Sequence, residues 1–296
     1  MKLLLIDANN LCHRVHWTHK DLTYKGTPVS VLYGFFRSLI SFKKRFPDCF
    51  TVVVWDGGSK RRKEESKKAV EQKIIPSHYK ANRKKEEISE ELQCIFDQVD
   101  ILKKVLLKVR VFQVSIEGYE ADDIIHTYAR QNSKAGGESV IITSDHDFYQ
   151  LLDENTCIYD AMKQETWTQE LFESIYGFAP ALWVDVGAIA GDNSDNIHGV
   201  EGWGEKTASK YVKEFGEAEA VIEGIRSKKK RGKKEEKLLA SIDRIKLAKS
   251  LKKMDMVPDV PRLRFKCKFE VGEIKQWFVQ NRFASLLKDA WRLVDA

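Results

Sequence analysis

The chain has 296 residues, 43% hydrophobic and 32% charged, and its 50 Lys and Arg against 44 Asp and Glu give a net charge of +6. This is enough apolar material for a real core, in one large domain or two smaller ones, within an ordinary soluble composition rich in lysine. The charge is unevenly placed: residues 60–85 carry 11 basic and three acidic side chains, and 226–237 carry eight and two, leaving the rest of the chain at −8. An acidic body with two basic patches is expected where acids hold metals and lysines meet phosphates. Cys12, Cys49, Cys94, Cys157 and Cys267 are odd in number and lack CxxC or zinc-like spacing, so they read as reduced, mostly buried thiols in a reducing cytoplasm.

The opening MKLLLIDANN has one lysine and an apolar run that meets Asp7 at once, so it is expected to be neither a signal peptide nor a membrane span. The run 3–6 ends at Asp7, the run 51–55 ends at Asp56, and the run 140–143 leads into Ser144 and Asp145. Runs apolar at consecutive positions suit central strands covered on both faces, which predicts an α/β sheet. If the strands are parallel, the three aspartates converge at the carboxyl edge, where open α/β sheets place their ligands. Ile88, Leu92, Ile95, Phe96, Val99, Leu102, Leu106 and Val109 predict a helix packed on that sheet, and 111–114 reads as a further short strand. Glu120 begins a helix with Ile124, Ile125 and Tyr128 on its apolar stripe, and Gly136 and Gly137 separate it from the next strand. Beyond about Pro180 the pattern changes to short helices with glycine-rich connections, which predicts a smaller helical domain over 181–264. Residues 265–296 form an extension, with an alternating segment at 265–269 and an amphipathic helix from near Val271, whose part is packing or interaction.

Nine carboxylates recur in tight clusters: Asp7 and Asp56 at strand ends, Glu120, Asp122 and Asp123 in GYEADD, Asp145 and Asp147 in TSDHD, and Asp192 and Asp195 in GDNSDN. Glu120 and Asp123 share a helix face, whereas Asp122 is turned about 200° from Glu120, so one centre for all three needs a distorted first turn or a water link. Like charges this dense are relieved by a cation, and oxygen donors without paired His or Cys favour Mg2+ or Mn2+ over Zn2+. A two-ion centre accounts for the number: one ion generates and positions the attacking hydroxide, and the other stabilises the leaving oxygen of a phosphodiester. Singly, DxD is more often a turn or cap, GDNSDN reads also as an Asx-rich loop, and Asp7 as a helix N-cap; the combination carries the reading.

The basic stretch 60–85 leaves the sheet edge just after Asp56. Within it, Lys80 and Arg83 are three apart and are expected to clamp the scissile phosphate from one helix face, while Tyr79 offers a ring for a terminal base. Lys80 would act there as a charge stabiliser, since phosphates give a lysine no reason to lose its proton. Gly199, Gly202 and Gly204, followed by Glu205 and Lys206, place a tight hairpin before a helix whose N–H groups could grip duplex backbone, an arrangement that alone is also that of an ordinary turn.

In chain order, LIDANNL, VVVWDGG, YKANR, GYEADDI, TSDHDFYQL and GDNSDNIHGVEGWGEKTA resemble the motifs of the flap endonuclease and 5'-3' exonuclease family, above all bacteriophage 5' nucleases and phage ribonuclease H, over roughly residues 1–260. The resemblance implies a PIN-like domain with a central, mostly parallel sheet over 1–180, a basic arch at about 57–90, and a helix-hairpin-helix DNA-binding domain over 181–264. It implies Asp7, Asp56, Glu120, Asp122 and Asp123 around a first metal, and Asp145, Asp147, Asp192 and Asp195 around a second. It also implies arch roles for Lys80 and Arg83, a duplex grip with a K+ ion at 199–208, and removal of 5' flaps and RNA primers. Expected partners are branched, 5'-ended or RNA-primed DNA and replication proteins such as a single-strand-binding protein, with the chain a monomer in a bacterial host's cytoplasm. Trp203 stands where a smaller apolar residue is usual, which is expected to change the DNA-facing surface; no polymerase domain is expected to follow. A PIN-class ribonuclease without structural selectivity would need neither arch nor hairpin, and a non-catalytic DNA-binding module would not need an intact carboxylate set.

Overall fold

The computed structural model describes residues 1–82, 90–263 and 271–293; Arg83, Ile88, Cys267 and the segment 265–269 lie outside the described residues. The chain begins with β1 (Lys2–Asp7), α1 (Ala8–Thr18), a small hairpin of β2 (Thr23–Tyr24) and β3 (Thr27–Pro28), α2 (Ser30–Arg45), β4 (Phe50–Val54), α3 (Lys60–Glu71), α4 (Glu90–Lys108) and β5 (Phe112–Val114). It continues with α5 (Ala121–Lys134), β6 (Glu138–Ile142), a 3-10 helix (His146–Leu151), β7 (Thr156–Asp160), β8 (Glu165–Trp167) and α6 (Gln169–Tyr176). Then come a short 3-10 turn (Pro180–Leu182), α7 (Trp183–Ala190), α8 (Glu205–Phe215), α9 (Ala218–Arg226), α10 (Lys233–Leu239), α11 (Ile242–Lys252), α12 (Val271–Gln280) and a closing 3-10 helix (Ala284–Leu293).

Six strands form one sheet in the order β5-β4-β1-β6-β7-β8, parallel throughout except for β8, which runs antiparallel to β7. The apolar runs ending at Asp7 and Asp56 and leading to Asp145 are its three central strands, with Asp7 paired to Val54 and Ile6 to Ile142. Side chains alternate across a strand, so Leu3 and Leu5 enter the core shared with α5 and the helices from α7 to α11, while Leu4 and Ile6 enter the core shared with α1, α2, α4 and α12. β7 and β8 were not foreseen.

The α4 stripe is only partly inward. Ile95, Leu102, Leu106 and Val109 are buried, but Leu92 and Phe96 are 37% and 46% exposed. A polar residue, Gln98, is buried on the inward side of α4, and its side-chain carbonyl accepts the amides of Val31 (2.8 Å) and Leu32 at the start of α2. Val29, the residue before α2, provides no side-chain cap, so Gln98 satisfies amides that burial would otherwise leave unpaired. The carboxy-terminal extension closes the same core: Ile274, Phe278, Phe283 and Leu286 are buried, with Phe278 edge-on to Phe36 at 5.4 Å. Cys12 and Cys49 are buried, Cys94 and Cys157 half-buried, and all four are free thiols. Among the described residues no helix is long and apolar enough to cross a membrane.

Candidate active site

The three strand ends meet as the parallel pairing requires. Asp7 serves the backbone as well, accepting the Asn10 amide (3.1 Å) as the cap of α1. Asp56 accepts the Gly58 amide at 2.8 Å and donates its own to Asn9. Asp145 caps the following 3-10 helix through the Asp147 amide at 2.8 Å. These local bonds aim three carboxylates into a cleft of about 740 Å³, whose lining holds seven of the nine expected acids: Asp7, Asp56, Glu120, Asp122, Asp145, Asp192 and Asp195. Lys80 stands on one side of it, and the cleft continues past His13, Arg14 and the exposed Trp17 of α1 on the other.

Asp123 and Asp147 do not line it. Glu120 is the extended residue before α5, with φ −76° and ψ 162°, so helical angular counting starts only after it and Asp122 reaches the cleft without a distorted turn. Asp123 points to the other side. Its Oδ1 accepts from Arg62 Nη2 and the Asp255 amide, and its Oδ2 from Arg62 Nη1 and the Glu120 amide, all at 2.8–3.1 Å. Both its oxygens are engaged by protein donors. Arg62 is 2% exposed and uses its remaining donors on Glu120 Oε2 (2.8 Å) and the carbonyls of Leu251 and Lys253. Asp147 turns toward Lys252, whose Nζ lies 2.7 Å from both its oxygens and 2.6 Å from Asp192 Oδ2.

The electrostatics divide accordingly. Burial pushes Asp7 up to about 7, against the Asn10 amide and with the help of Asp145 and Asp56. Burial also raises Asp122 well above the usual carboxylate range, reinforced by Asp145 and Asp7, and raises Asp145 against the Asp147 amide. Asp147 is pushed up to about 6 by burial and Asp145, despite Lys252. For Glu120 and Asp192 burial is outweighed: Lys80 and Arg62 hold Glu120 below its ordinary value, and Lys252 holds Asp192 down at about 2. Among the described residues no three His, Cys, Asp or Glu groups already stand at ion-binding spacing. The fit to a hard divalent cation is in donor type, since the acidic lining is made of carboxylates and Asp145 raises the proton affinity of both Asp7 and Asp122.

The segment after α3 departs from expectation. Tyr79 is buried, and its hydroxyl donates to Glu120 Oε2 (3.0 Å) and Asp195 Oδ2 (3.1 Å), so its ring is not an open platform for a base. Lys80 lies in a turn with φ +56°, not on a helix face, and its Nζ donates to Glu120 Oε1 at 2.6 Å. Its amide donates to the Asp195 carbonyl, and Asn82 donates to that of Asn193, so residues 79–82 dock on the GDNSDN loop. The other half of the expected clamp, Arg83, falls outside the described residues.

In the hairpin the three glycines differ in kind. Gly199 packs where a Cβ would meet the carbonyl carbon of Ala190 at 2.3 Å, so its need is close packing, not phosphate approach. Gly202, with φ +78°, and Gly204 face open space, and Gly204 precedes α8 with Lys206 exposed in the first turn. Trp203 does not alter an outer surface: it is 3% exposed, packs against the tilted ring of Tyr211 at 4.7 Å, and its indole donates to the Lys234 carbonyl at 3.1 Å. The second lysine-rich stretch is thereby tied to the hairpin, with Glu235 accepting from Lys228 and Tyr211.

Arg62 and Lys252 are the side chains that sequence reading missed. Both sit in lysine-rich runs that look solvated. The trace was periodicity: Arg62 shares a face with Ser66 and Ala69, and Lys252 with Ile245 and Ala248, all buried.

The comparisons agree with this geometry. A family model described as the 5'-3' exonuclease N-terminal resolvase-like domain matches residues 2–177, and one described as the 5'-3' exonuclease C-terminal SAM fold matches 178–272. A 5'-3' exonuclease of Aquifex aeolicus is 30% identical over 97% of this chain and 94% of its own length. A thermostable DNA polymerase I of Thermus thermophilus is 36% identical over 84% of this chain, and the chain spans only 28% of that relative's length. Among solved structures, a T5 5'-exonuclease with bound divalent metal ions (zinc) superposes with a TM-score of 0.70 at 23% identity, covering 85% of this chain and 89% of that one, a likeness of fold. The sheet, the helical module after it and the two matched models together place the chain in the 5'-3' exonuclease family.

Proposed function

We propose that this chain is a divalent-metal-dependent, structure-specific 5' nuclease that hydrolyses phosphodiester bonds at 5' ends and branches, acting as 5'-3' exonuclease, flap endonuclease and remover of RNA primers. The observation that carries the reading is the convergence of seven carboxylates on one cleft at the carboxyl edge of a parallel sheet, with Lys80 on its flank. Relatives named as 5'-3' exonuclease and DNA polymerase I, and T5 and Rad2 structures holding metal ions or DNA substrate, support it. Magnesium or manganese is the ion proposed, held by Asp7, Asp122 and Asp145 with Asp56, Glu120 and Asp195 nearby. When bound, such an ion supplies Lewis-acid stabilisation of charge developing on the phosphoryl group.

The chain's own residues set the stage for that chemistry. Arg62 and the Tyr79 hydroxyl hold Glu120 Oε2 from behind, which leaves Oε1 toward the cleft and Lys80. Lys80, at the cleft's rim, neutralises phosphate charge there. The open glycines 202 and 204, the exposed first turn of α8 and the lysines anchored by Trp203 form a surface for duplex backbone, which they grip without reading bases. A K+ ion at this hairpin, a division of the chain near residue 180, and work as a monomer beside replication proteins in a host cytoplasm belong to the same proposal.

The test is digestion of a 5'-labelled flap and a nicked duplex with Mg2+, with Mn2+ and with chelator. Asp122→Asn is expected to lower single-turnover cleavage by roughly a hundredfold to a thousandfold or more while sparing duplex binding, because both basic surfaces remain. Cleavage that survives the chelator, or near-normal turnover in the variant, would overturn the proposal.

A further inference from the structure

Lys252 pairs with one carboxylate that lines the acidic cleft, Asp192, and with one that does not, Asp147. It is the last residue of α11, its side chain is 6% exposed, and all its hydrogen bonds go to two carboxylates, Asp147 and Asp192, at 2.6–2.7 Å. Its stem packs on α7 beside Gly187, where a Cβ would lie 3.4–3.5 Å from the Lys252 methylenes, an ordinary contact. Its backbone is fixed as well, because Gln150 donates to its carbonyl at 3.2 Å. Ser194 donates to the other oxygen of Asp192 through both its amide (2.8 Å) and its hydroxyl (2.6 Å). Asp7, Asp122 and Asp145 have no such guest: among the described residues no ammonium or guanidinium pairs with them.

Resting on the metal-dependent reading above, we propose that Lys252 is a resident cation that takes the place of a second divalent ion, so that the cleft binds one divalent ion tightly, at Asp7, Asp122 and Asp145. A divalent ion on Asp147 and Asp192 would have to share those oxygens with an ammonium already in contact with them, and like charges at that range repel strongly in a water-poor setting. Swinging the lysine aside would break all three of its contacts to Asp147 and Asp192 and the packing of its stem on α7 beside Gly187. Asp147 and Asp192 thereby become holders of a fixed positive charge, not competitors for a mobile one. The expectation of two equivalent ions, drawn from the number of carboxylates, is replaced by one ion and one ammonium.

Mn2+ titration of the full chain followed by electron paramagnetic resonance tests this without reference to activity. The wild type is expected to bind one Mn2+ tightly, and Lys252→Met to gain a second, with affinity at that place rising about tenfold or more as a contacting positive charge is removed. Adding Asp192→Asn to Lys252→Met should return the count to one. Lys252→Gln, neutral but able to hydrogen-bond, carries the same expectation if Lys252→Met does not fold. Two equally tight Mn2+ ions in the wild type, or an unchanged count in a folded neutral variant, overturns the assignment and leaves the nuclease reading intact. A wild type that binds no Mn2+ overturns both.

Discussion

The two ends of the cleft are built from the same residue type and balanced in opposite ways. Asp147 and Asp192 share a buried ammonium, and Asp123 and Glu120 share a buried guanidinium. Asp7, Asp122 and Asp145 face one another with only backbone amides and distant cations to relieve them, and burial drives their proton affinities upward. The difference teaches how to read an acidic cluster. The number of carboxylates is not the number of ligands, because each buried Lys or Arg removes one or two from the set. What remains uncompensated is where a mobile cation gains most.

The largest effect that would break this comparison concerns Arg62. If it is structural compensation, Arg62→Met leaves Glu120 and Asp123 buried without their partner and strands the carbonyls of Leu251 and Lys253. Removal of one member of a buried ion pair destabilises by about 3–5 kcal/mol. Chemical denaturation of the metal-free chain should show a loss of that order. A change below about 1 kcal/mol, the range of an exposed pair, would mean that Arg62 is a dispensable surface-like contact and that Asp123 is free to serve a metal.

A smaller effect, spread over pH, sharpens the contrast because the two ends carry opposite signs. Asp7 has a folded pKa of about 7 against an ordinary value of 3.8, so the folded state holds its proton more tightly than the unfolded chain. Its contribution favours folding at low pH and is lost as pH rises toward 7. Asp192, held down at about 2, contributes stability above its unfolded value that is lost as pH falls toward 2. With chelator present, Asp7→Asn should therefore stabilise the chain at pH 8 more than at pH 5. Asp192→Asn should destabilise it at pH 7 more than at pH 3. A saturating divalent ion should cancel the Asp7 effect, since it favours the ionised carboxylate. Melting curves across pH would refute the division of the cleft if both variants shifted in the same direction.

Much of this was legible in the sequence, for identifiable reasons. Central parallel strands announce themselves as consecutive apolar residues, and β1, β4 and β6 fell where the runs before Asp7, Asp56 and Asp145 put them. β7 and β8 were silent because they lie toward one edge, where TCIYD and ETW are short and mixed in character. Seven of the nine acids reach the cleft because they sit at the ends of elements, where the sequence itself marks position. Asp123 is expected beside Glu120 by their shared helix face and Asp147 by its place in TSDHD, and partner identity, not spacing, separates them from the acids that reach the cleft. That partner information comes from α3 and α11, far away in the chain and hidden among lysines. Tyr79 was misjudged for a related reason: aromatic rings near basic residues suggest stacking, but here two carboxylates accept the hydroxyl, which fixes the ring inside.

The smallest effect on stability belongs to Lys80, and it tests whether the comparison needs a third class, a compensating cation meant to leave its partner. Lys80 pairs with Glu120 Oε1 at 2.6 Å, as Lys252 pairs with its aspartates, but its side chain is 22% exposed against 6% and it lies at the cleft's rim in a left-handed turn. Glu120 does not depend on it alone, because Arg62 and Tyr79 hold the other oxygen. Lys80→Met should therefore change folding stability by no more than about 1 kcal/mol, the usual scale of a partly solvated pair. Its effect on chemistry should be far larger, with single-turnover cleavage at saturating enzyme falling by roughly a hundredfold while duplex affinity changes little, because a charge placed for the transition state acts on the rate. If instead stability falls as far as in Arg62→Met and the rate of the folded fraction is unchanged, Lys80 is part of the scaffold. Weaker duplex binding with an unchanged rate would reassign it to docking, and the charge acting on the reacting phosphate would then have to come from another group.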